Sequence, residues 1–336
     1  MHCLSHRVLG LSLIALSLAA CQPETAPTTT TTVEPNLPAL PPVPLFNGDS
    51  AYAYVAKQVA FGPRVPGSAA HKACGDWMVE KLKSHGAKVI EQNAMVTIYS
   101  GQKVPMRNII ASWQPEKTDR VLLFTHWDSR PFADQDTVLR NEPIDGANDA
   151  GSGTGVLLEI ARQLAENPTQ PGIDIFFTDV EDMGAPHEAM GGDKRDSEET
   201  WCLGTQYWTK NPHVPNYKAR YGILLDMVGS KDAVFPKEGY SMRYASGIVS
   251  KVWKAAAAAG HGHRFLSDTR NFVGMDDHVY VNENMNIPSI DIIAYNAASG
   301  GFPATWHTHA DNMANIDKES LQAVGATVAQ TIWTER

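Results

Sequence analysis

Segments with helical periodicity alternate along the chain with segments that are almost wholly apolar. The runs RVLLFTHW, IDIFFTD, YGILLDMVG and PSIDIIAY have the composition of strands that are buried on both faces. Two further strands are predicted in KVIEQNAMVTIY and MRNIIASW. Apolar residues recur at helical spacing between Gly67 and Gly86, in VLLEIARQLAEN, in IVSKVWKAAAAAG, and in a last helix that Asp317 opens as N-cap.

This interleaving predicts an α/β fold: a single domain with a mostly parallel, twisted central sheet that is flanked by helices. Beyond residue 46 we find neither an internal repeat nor a second linker-like stretch. Residues 46–336 are therefore expected to form one folded domain.

The first twenty residues differ from this pattern. Arg7 precedes a short apolar run from Val8 to Ala20, which as a helix would span roughly 20 Å and is too short for a bilayer core of ~30 Å. A basic start, an apolar stretch and small residues at its end are typical of an export signal. The ending LAAC resembles a bacterial lipobox, so residues 1–20 are expected to be a lipoprotein signal peptide and Cys21 the lipidated residue. Ordinary cleavage, with Cys21 incidental, is the alternative.

Residues 21–45 form a predicted tether. Positions 22–45 contain seven prolines, six threonines and no Lys or Arg, a composition that favours extended conformations over a packed core. Gln22, rather than Asp, follows the lipobox cysteine, so we expect anchoring at the periplasmic face of the outer membrane. Contact with the membrane would be through the lipid alone.

Composition excludes several classes of protein. The chain is 43% hydrophobic and 19% charged, which is too apolar for wholesale disorder. A net charge of −9 leaves no basic surface for nucleic acid. Four cysteines are too few for a disulfide scaffold, and their spacing is unlike that of a zinc finger. We expect Cys74 and Cys202 to be free thiols, although an oxidising compartment would permit a bond between them.

Acidic and imidazole side chains follow the predicted buried strands. In sheets of this kind ligands bind beyond the carboxyl ends of the strands, so these side chains are expected to converge on one edge. Carboxylates and imidazoles without cysteine suit a zinc ion used in hydrolytic or transfer chemistry. Taken singly, His278 and His309 are expected to be structural groups. The residues that the pattern brings to this edge are His126, Asp128, Asp149, Glu181, Asp182, Asp226 and His307.

The motifs HWDS, GANDAGSG, FFTDVEDMG, LLDMVG and WHTHADN, in this order, resemble the zinc peptidase superfamily that contains aminopeptidases and glutaminyl cyclases. FGPRVPGS and RNIIASW extend the resemblance over the chain from about residue 50 to its end. Within the superfamily the chain is most similar to the animal-type glutaminyl cyclases and their bacterial relatives, because Trp306 directly precedes His307, DDH occupies positions 276–278, and a loop carries WCLGTQYW.

The resemblance implies a role for each matching residue. Zinc, one ion per chain, would be held by Asp149, Asp182 and His307, with Asp182 standing where animal cyclases have Glu. Glu181 matches the general acid/base. The carboxylates around the substrate amine would be Asp226, Asp277 and Asp291, the last in place of an animal His, and the substrate pocket would include Trp306 and Trp201.

The implied activity is that of a glutaminyl-peptide cyclotransferase, an acyltransferase that converts N-terminal glutamine of peptides or proteins to pyroglutamate and releases ammonia. In that reaction zinc polarises the side-chain amide and Glu181 moves the proton. The chain is expected to act as a monomer. One alternative is an aminopeptidase with two zinc ions, the second held by His126 and Asp226. The other is a lipoprotein receptor that uses the same fold only for binding.

Overall fold

The computed structural model describes residues 40–186, 199–271 and 273–336. The predicted signal peptide, Cys21 and most of the predicted tether lie outside the described residues. Leu40–Arg336 form one unit. None of the described helices is both long and apolar enough to cross a membrane.

Seven α-helices and eight strands are described. The helices are α1 (Gly48–Val59), α2 (Ala69–Ser84), α3 (Gly151–Glu166), α4 (Leu203–Lys210), α5 (Gly239–Ala258), α6 (Asp277–Met285) and α7 (Lys318–Trp333). The strands are β1 (Lys88–Thr97), β2 (Lys103–Trp113), β3 (Arg120–His126), β4 (Gly172–Thr178), β5 (Gly222–Asp226), β6 (Phe235–Glu238), β7 (Phe265–Arg270) and β8 (Ser289–Ile293).

The main sheet has six strands in the order β1-β2-β4-β3-β5-β8. Strands β4, β3, β5 and β8 are parallel, whereas β1 and β2 add an antiparallel hairpin at one side. The carboxyl ends of the four parallel strands therefore lie at one edge, as the sequence pattern predicted. Strands β6 and β7 form a separate parallel pair.

Alternate residues of each central strand face opposite layers of helices. In β3, Leu123 belongs to the large core cluster that also includes residues of α1, α3, α5 and α7, whereas Leu122 and Phe124 pack in a second cluster with Trp208 of α4 and Val281 of α6. Every residue of β3 is buried. The continuous apolar pattern of this run follows from burial on both faces.

Two predicted helix boundaries are confirmed. The carboxylate of Asp317 accepts hydrogen bonds from the backbone of Glu319 and Ser320 at the start of α7. Gly86 follows the end of α2 with φ of +78°, a conformation that glycine adopts without steric penalty. Both signals are local, because a helix cap is formed by residues that are close to the helix end in sequence. They could therefore be predicted from the amino-acid sequence.

One segment differs from expectation. The sequence predicts a loop at WCLGTQYW, but the last six residues of this segment lie in α4. Trp208 is fully buried there and its ring centre lies 4.9 Å from that of Phe176 in β4. Packing against the sheet stabilises this short helix, which lacks a side-chain cap.

Cys74 and Cys202 are both buried and both free. We expect alkylation of the native protein to be slow at both residues and rapid once the chain is unfolded. Mass spectrometry of peptides from non-reduced, unfolded and alkylated protein checks this. A peptide pair joined through the two residues would contradict it.

Candidate active site

Three predicted metal ligands come together at the carboxyl edge of the sheet. Asp149 precedes α3, Asp182 follows β4, and His307 lies in the loop between β8 and α7. Their ligand atoms all lie within 4.8 Å of one another, and all three residues are buried. Nε2 of His307 is 3.1 Å from Oδ1 of Asp182 and 3.7 Å from Oδ2 of Asp149.

The donor set fits a zinc ion. Both carboxylate oxygens of Asp182 are buried and accept no hydrogen bond from the part of the protein that is described. Nη1 of Arg130 lies 3.5 Å from Oδ1 without donating to it, and a buried carboxylate that receives no hydrogen bond is stabilised when a bound cation or a proton compensates it. Two carboxylates and one imidazole whose ligand atoms lie within 4.8 Å of one another are a set that zinc accepts, and three protein ligands leave its fourth position for substrate or water.

A second group overlaps the first. His126, at the end of β3, has its Nε2 2.9 Å from Oδ1 of Asp149 and 3.4 Å from Oδ1 of Asp226. The three ligand atoms also lie within 4.8 Å of one another. Asp226 ends β5, and burial raises its pKa to about 7, with Asp149 adding to the shift. The residues expected to hold a second metal ion are thus adjacent to the first group. The geometry is compatible with one metal ion or with two.

Glu181 lies beside the predicted ligands, next to Asp182. Asp128 holds this turn in place, because its two carboxylate oxygens accept hydrogen bonds from the backbone of Glu181 and Asp182, both 3.2 Å long. The thiol of Cys202 donates to Oε1 of Glu181 over 3.2 Å. Burial raises the pKa of Glu181 well above its usual range, and the nearby Asp182 raises it further. A carboxyl group with a raised pKa can both take and give a proton near neutral pH.

Asp276, the neighbour of the predicted Asp277, forms a group with Glu181 and Cys202. Glu181, Cys202 and Asp276 bring one ligand atom each within 4.8 Å. Asp277 begins α6 and turns instead toward β4, where Oδ2 accepts from the hydroxyl of Thr178 over 3.4 Å. Both carboxylates are buried. Asp276 is the N-cap of α6, a role that an aspartate before a helix often has, so the sequence alone did not separate it from a structural cap.

Asp291 is the middle residue of β8 and forms a buried group with Asp276 and His278. Burial raises the pKa of Asp291 well above its usual range, and Asp276 adds to the shift. His278 pairs through Nε2 with Glu238 at 3.1 Å, as expected of a structural histidine. Carboxyl groups thus continue inward from Glu181 through Asp276 to Asp291.

Two indole rings flank His307. The ring centre of Trp306 is 3.8 Å from that of His307, with the planes 23° apart, and Trp201 stacks at 5.9 Å and 10°. Both indoles are half-buried. Trp306 also contacts Phe302 in a small apolar cluster. The ligand group is therefore walled by aromatic surface, and both predicted pocket residues lie next to it.

The other histidine of the WHTHADN motif is not part of the ligand group. Nδ1 of His309 pairs with Asp136 at 2.9 Å. The following Asp311 is buried, and its carboxylate accepts from the backbone of Asn148 and Asp149. This motif therefore supplies the predicted ligand His307. It also supplies Asp311, which fixes the loop that carries the predicted ligand Asp149.

Known proteins with similar sequences include both enzyme types that the motifs suggested. Aminopeptidase YwaD of Bacillus subtilis is 27% identical over 234 residues, which is 68% of this chain and 44% of that protein. The glutaminyl-peptide cyclotransferase of Bothrops jararaca is 24% identical over 242 residues, or 64% of this chain and 61% of the snake protein. The chain thus spans less than two thirds of the length of these curated relatives.

Solved structures give a closer match. The crystal structure of Bacteroides thetaiotaomicron glutaminyl cyclase bound to N-acetylhistamine is 49% identical, with a TM-score of 0.84 over 88% of this chain and 100% of that one. The model of Peptidase family M28 matches residues 108–332, a segment that holds every predicted ligand and acid/base residue, and the chain therefore belongs to peptidase family M28.

Proposed function

We propose that this chain is a glutaminyl-peptide cyclotransferase that converts the N-terminal glutamine of peptides or proteins to pyroglutamate and releases ammonia. The observation that carries the proposal is the buried acidic row of Glu181, Asp276 and Asp291 beside a ligand group walled by Trp306. A near-full-length match to a solved glutaminyl cyclase supports it.

The cofactor is zinc, and Asp149, Asp182 and His307 would hold it. Bound there, it would supply Lewis acidity toward the side-chain amide carbonyl of the substrate. The chemistry left to the protein is to fold the glutamine back on itself, hold its amine and move one proton. The attack is intramolecular, so a pocket that fixes the folded conformer removes much of the entropic barrier.

Glu181 would move that proton. Its carboxylate accepts a proton from the substrate amine as the amine attacks the amide carbon. The same group then returns the proton to the departing nitrogen, which leaves as ammonia. A raised pKa serves both directions, since a carboxyl group of ordinary pKa is ionised near neutral pH, so that it has no proton to give and its carboxylate is a weak base.

The remaining acidic side chains would orient the amine. Asp276 and Asp277 both lie near enough to Glu181 to raise its pKa, and Asp226 lies near Asp276. These carboxylates would offer oxygens to an N–H group. Trp306 would cover the glutamine side chain, and an indole wall excludes the water that would otherwise compete with the amine.

Assays of the purified protein on matched peptides test the proposal. We expect a peptide that begins with Gln to be cyclised with release of one ammonia, and the same peptide beginning with Leu to remain intact. Release of free leucine from the second peptide would instead favour the aminopeptidase, for which His126 and Asp226 provide a second ligand set. Tight binding of either peptide without turnover would favour a receptor that only binds.

We further propose that residues 1–20 direct export, that Cys21 carries the lipid anchor, and that the enzyme lies at the periplasmic face of the outer membrane as a monomer. The support is the LAAC sequence and the Pro/Thr-rich composition that follows it. A Cys21→Ser variant is expected to be released in soluble form with unchanged specific activity, because the site is built only from residues beyond position 120. Failure of the unmodified chain to incorporate labelled palmitate in a bacterial host would contradict the lipid assignment.

A further inference from the structure

The proposed mechanism leaves one charged side chain of the site without a role. Arg130 lies four residues beyond the end of β3, and its side chain is fully buried. The guanidinium lies between two rings, 4.3 Å from the centre of Phe132 and 4.6 Å from that of Trp201. A cation is retained in such surroundings only when its donors are well paired. Its pairing partners connect it to two predicted zinc ligands.

The first partner is Asp134. Nε and Nη2 of Arg130 donate to the two oxygens of this carboxylate over 3.0 and 2.9 Å, in the forked geometry that guanidinium favours. Oδ1 of the same carboxylate lies 3.1 Å from Nδ1 of His307. The carboxylate is therefore shared between a buried cation and a predicted metal ligand.

This contact bears on which nitrogen of His307 is available. The Asp134 carboxylate lies 3.1 Å from Nδ1 without the geometry of a hydrogen bond, and its negative charge favours the tautomer with the proton on Nδ1, which leaves the lone pair on Nε2. Nε2 is the atom that faces Asp182 and Asp149. Asp134 thus favours the form of His307 that can bind a cation at the ligand group.

The neighbouring residue also holds the backbone of His307. The amide of Gln135 donates to the carbonyl of His307 over 3.2 Å. His307 has φ of +54°, a left-handed conformation that is uncommon for residues with a side chain. Asp134 and Gln135 therefore fix the ring and the main chain of this ligand together.

The guanidinium reaches the second ligand directly. Nη1 of Arg130 donates to the carbonyl oxygens of Asp182 and Gly184 over 3.0 and 3.1 Å. The same nitrogen is 3.5 Å from Oδ1 of Asp182. One buried side chain thus fixes the backbone that carries one ligand and, through Asp134, the ring of another.

We propose that Arg130 and Asp134 are positioning residues for the metal centre, which hold Asp182 and His307 in the arrangement that binds zinc and thereby set its affinity. A pair that served only the stability of the fold would leave zinc affinity unchanged in every variant that folds. The two roles can therefore be separated by measuring affinity and stability in the same proteins.

The test is a competition for zinc between the protein and a chromophoric chelator. Asp134→Ala is expected to weaken zinc binding by about 10–100-fold, the range for residues that orient metal ligands. The matched control is Asp174→Ala. Asp174 is also buried and receives a fork from Arg120, but it lies toward the opposite end of the sheet, where Arg120 pairs with Gly172. The control is expected to lower Tm and to leave zinc affinity unchanged.

Two milder variants keep the test decisive if Asp134→Ala does not fold. Asp134→Asn keeps the side-chain volume but presents an amide donor to one arm of the guanidinium. Arg130→Lys keeps the charge but cannot form the fork. Both are expected to weaken zinc binding measurably, with circular dichroism as the check on folding.

Unchanged zinc affinity in the folded Asp134 and Arg130 variants would overturn the proposal. So would an equal loss in Asp174→Ala. The measurement contains no substrate, so its outcome is independent of whether the chain cyclises glutamine.

Discussion

Replacing Glu181 with Gln is expected to lower kcat for cyclisation by about 10²–10⁴, the usual contribution of a positioned acid/base group. The amide has nearly the same volume as the carboxyl group, yet it can neither take up the amine proton nor return it to the leaving nitrogen. Its backbone contacts to Asp128 are unaffected by the change. KM should change much less than kcat, because substrate binding does not depend on proton transfer.

Steady-state kinetics on a Gln-initiated peptide and zinc analysis of the same sample check this. Glu116→Gln is the matched control, since Glu116 is exposed in the turn between β2 and β3 and should leave kcat unchanged. Near wild-type turnover in Glu181→Gln would remove this residue from the mechanism. Loss of zinc from the variant would show instead that Glu181 supports the metal centre.

The second large effect is expected on removal of the metal. Chelation should lower activity by about 100-fold or more, since a Lewis acid at a reacting carbonyl supplies several kcal/mol. One equivalent of zinc per chain should restore the full rate. We expect one zinc ion per chain rather than two because the substrate amine must approach the region of His126 and Asp226, where a second ion would bind.

The His126→Ala variant distinguishes an enzyme with one zinc ion per chain from an enzyme with two. In a one-zinc cyclase His126 orients Asp149 through the 2.9 Å contact, so its loss should lower activity by about 10–100-fold and leave zinc content unchanged. In a two-zinc peptidase the same change removes a ligand and halves the zinc content. Elemental analysis that gives two zinc ions in active wild-type protein, together with hydrolysis of Leu-initiated peptides, would replace the cyclase with the aminopeptidase.

Much of the fold and the edge that carries the site were predictable because their signals are local. A buried parallel strand needs a continuous apolar run, and the residue after it must lie at the carboxyl edge. His126, Glu181 and Asp226 could therefore be placed together from the amino-acid sequence alone. Asp149 and His307 were placed at the same edge from the loops that carry them, and the resemblance of the motifs then implied that both are zinc ligands.

What the sequence did not provide depends on contacts between distant segments. Asp276 and Asp277 are adjacent and identical, and only the start of α6 makes Asp276 the N-cap and groups its carboxylate with Glu181, while Asp277 becomes the first residue of the helix. Arg130 and Asp134 lie in an irregular loop without periodicity, and their role emerges only from contacts with residues 182 and 307. Helix α4 forms because Trp208 packs on the sheet, which eight residues cannot indicate on their own.

The ligand group joins three distant parts of the chain, and this makes zinc a component of the folding equilibrium. Residues 149, 182 and 307 are brought together only in the native state, so an unfolded chain cannot offer the same site. Free zinc at 100 times its dissociation constant would add about 2.7 kcal/mol to the free energy of unfolding. A substitution elsewhere in the molecule that lowers the free energy of unfolding by about 1–2 kcal/mol would then leave the protein folded where zinc is abundant. The same substitution would cause unfolding where zinc is scarce.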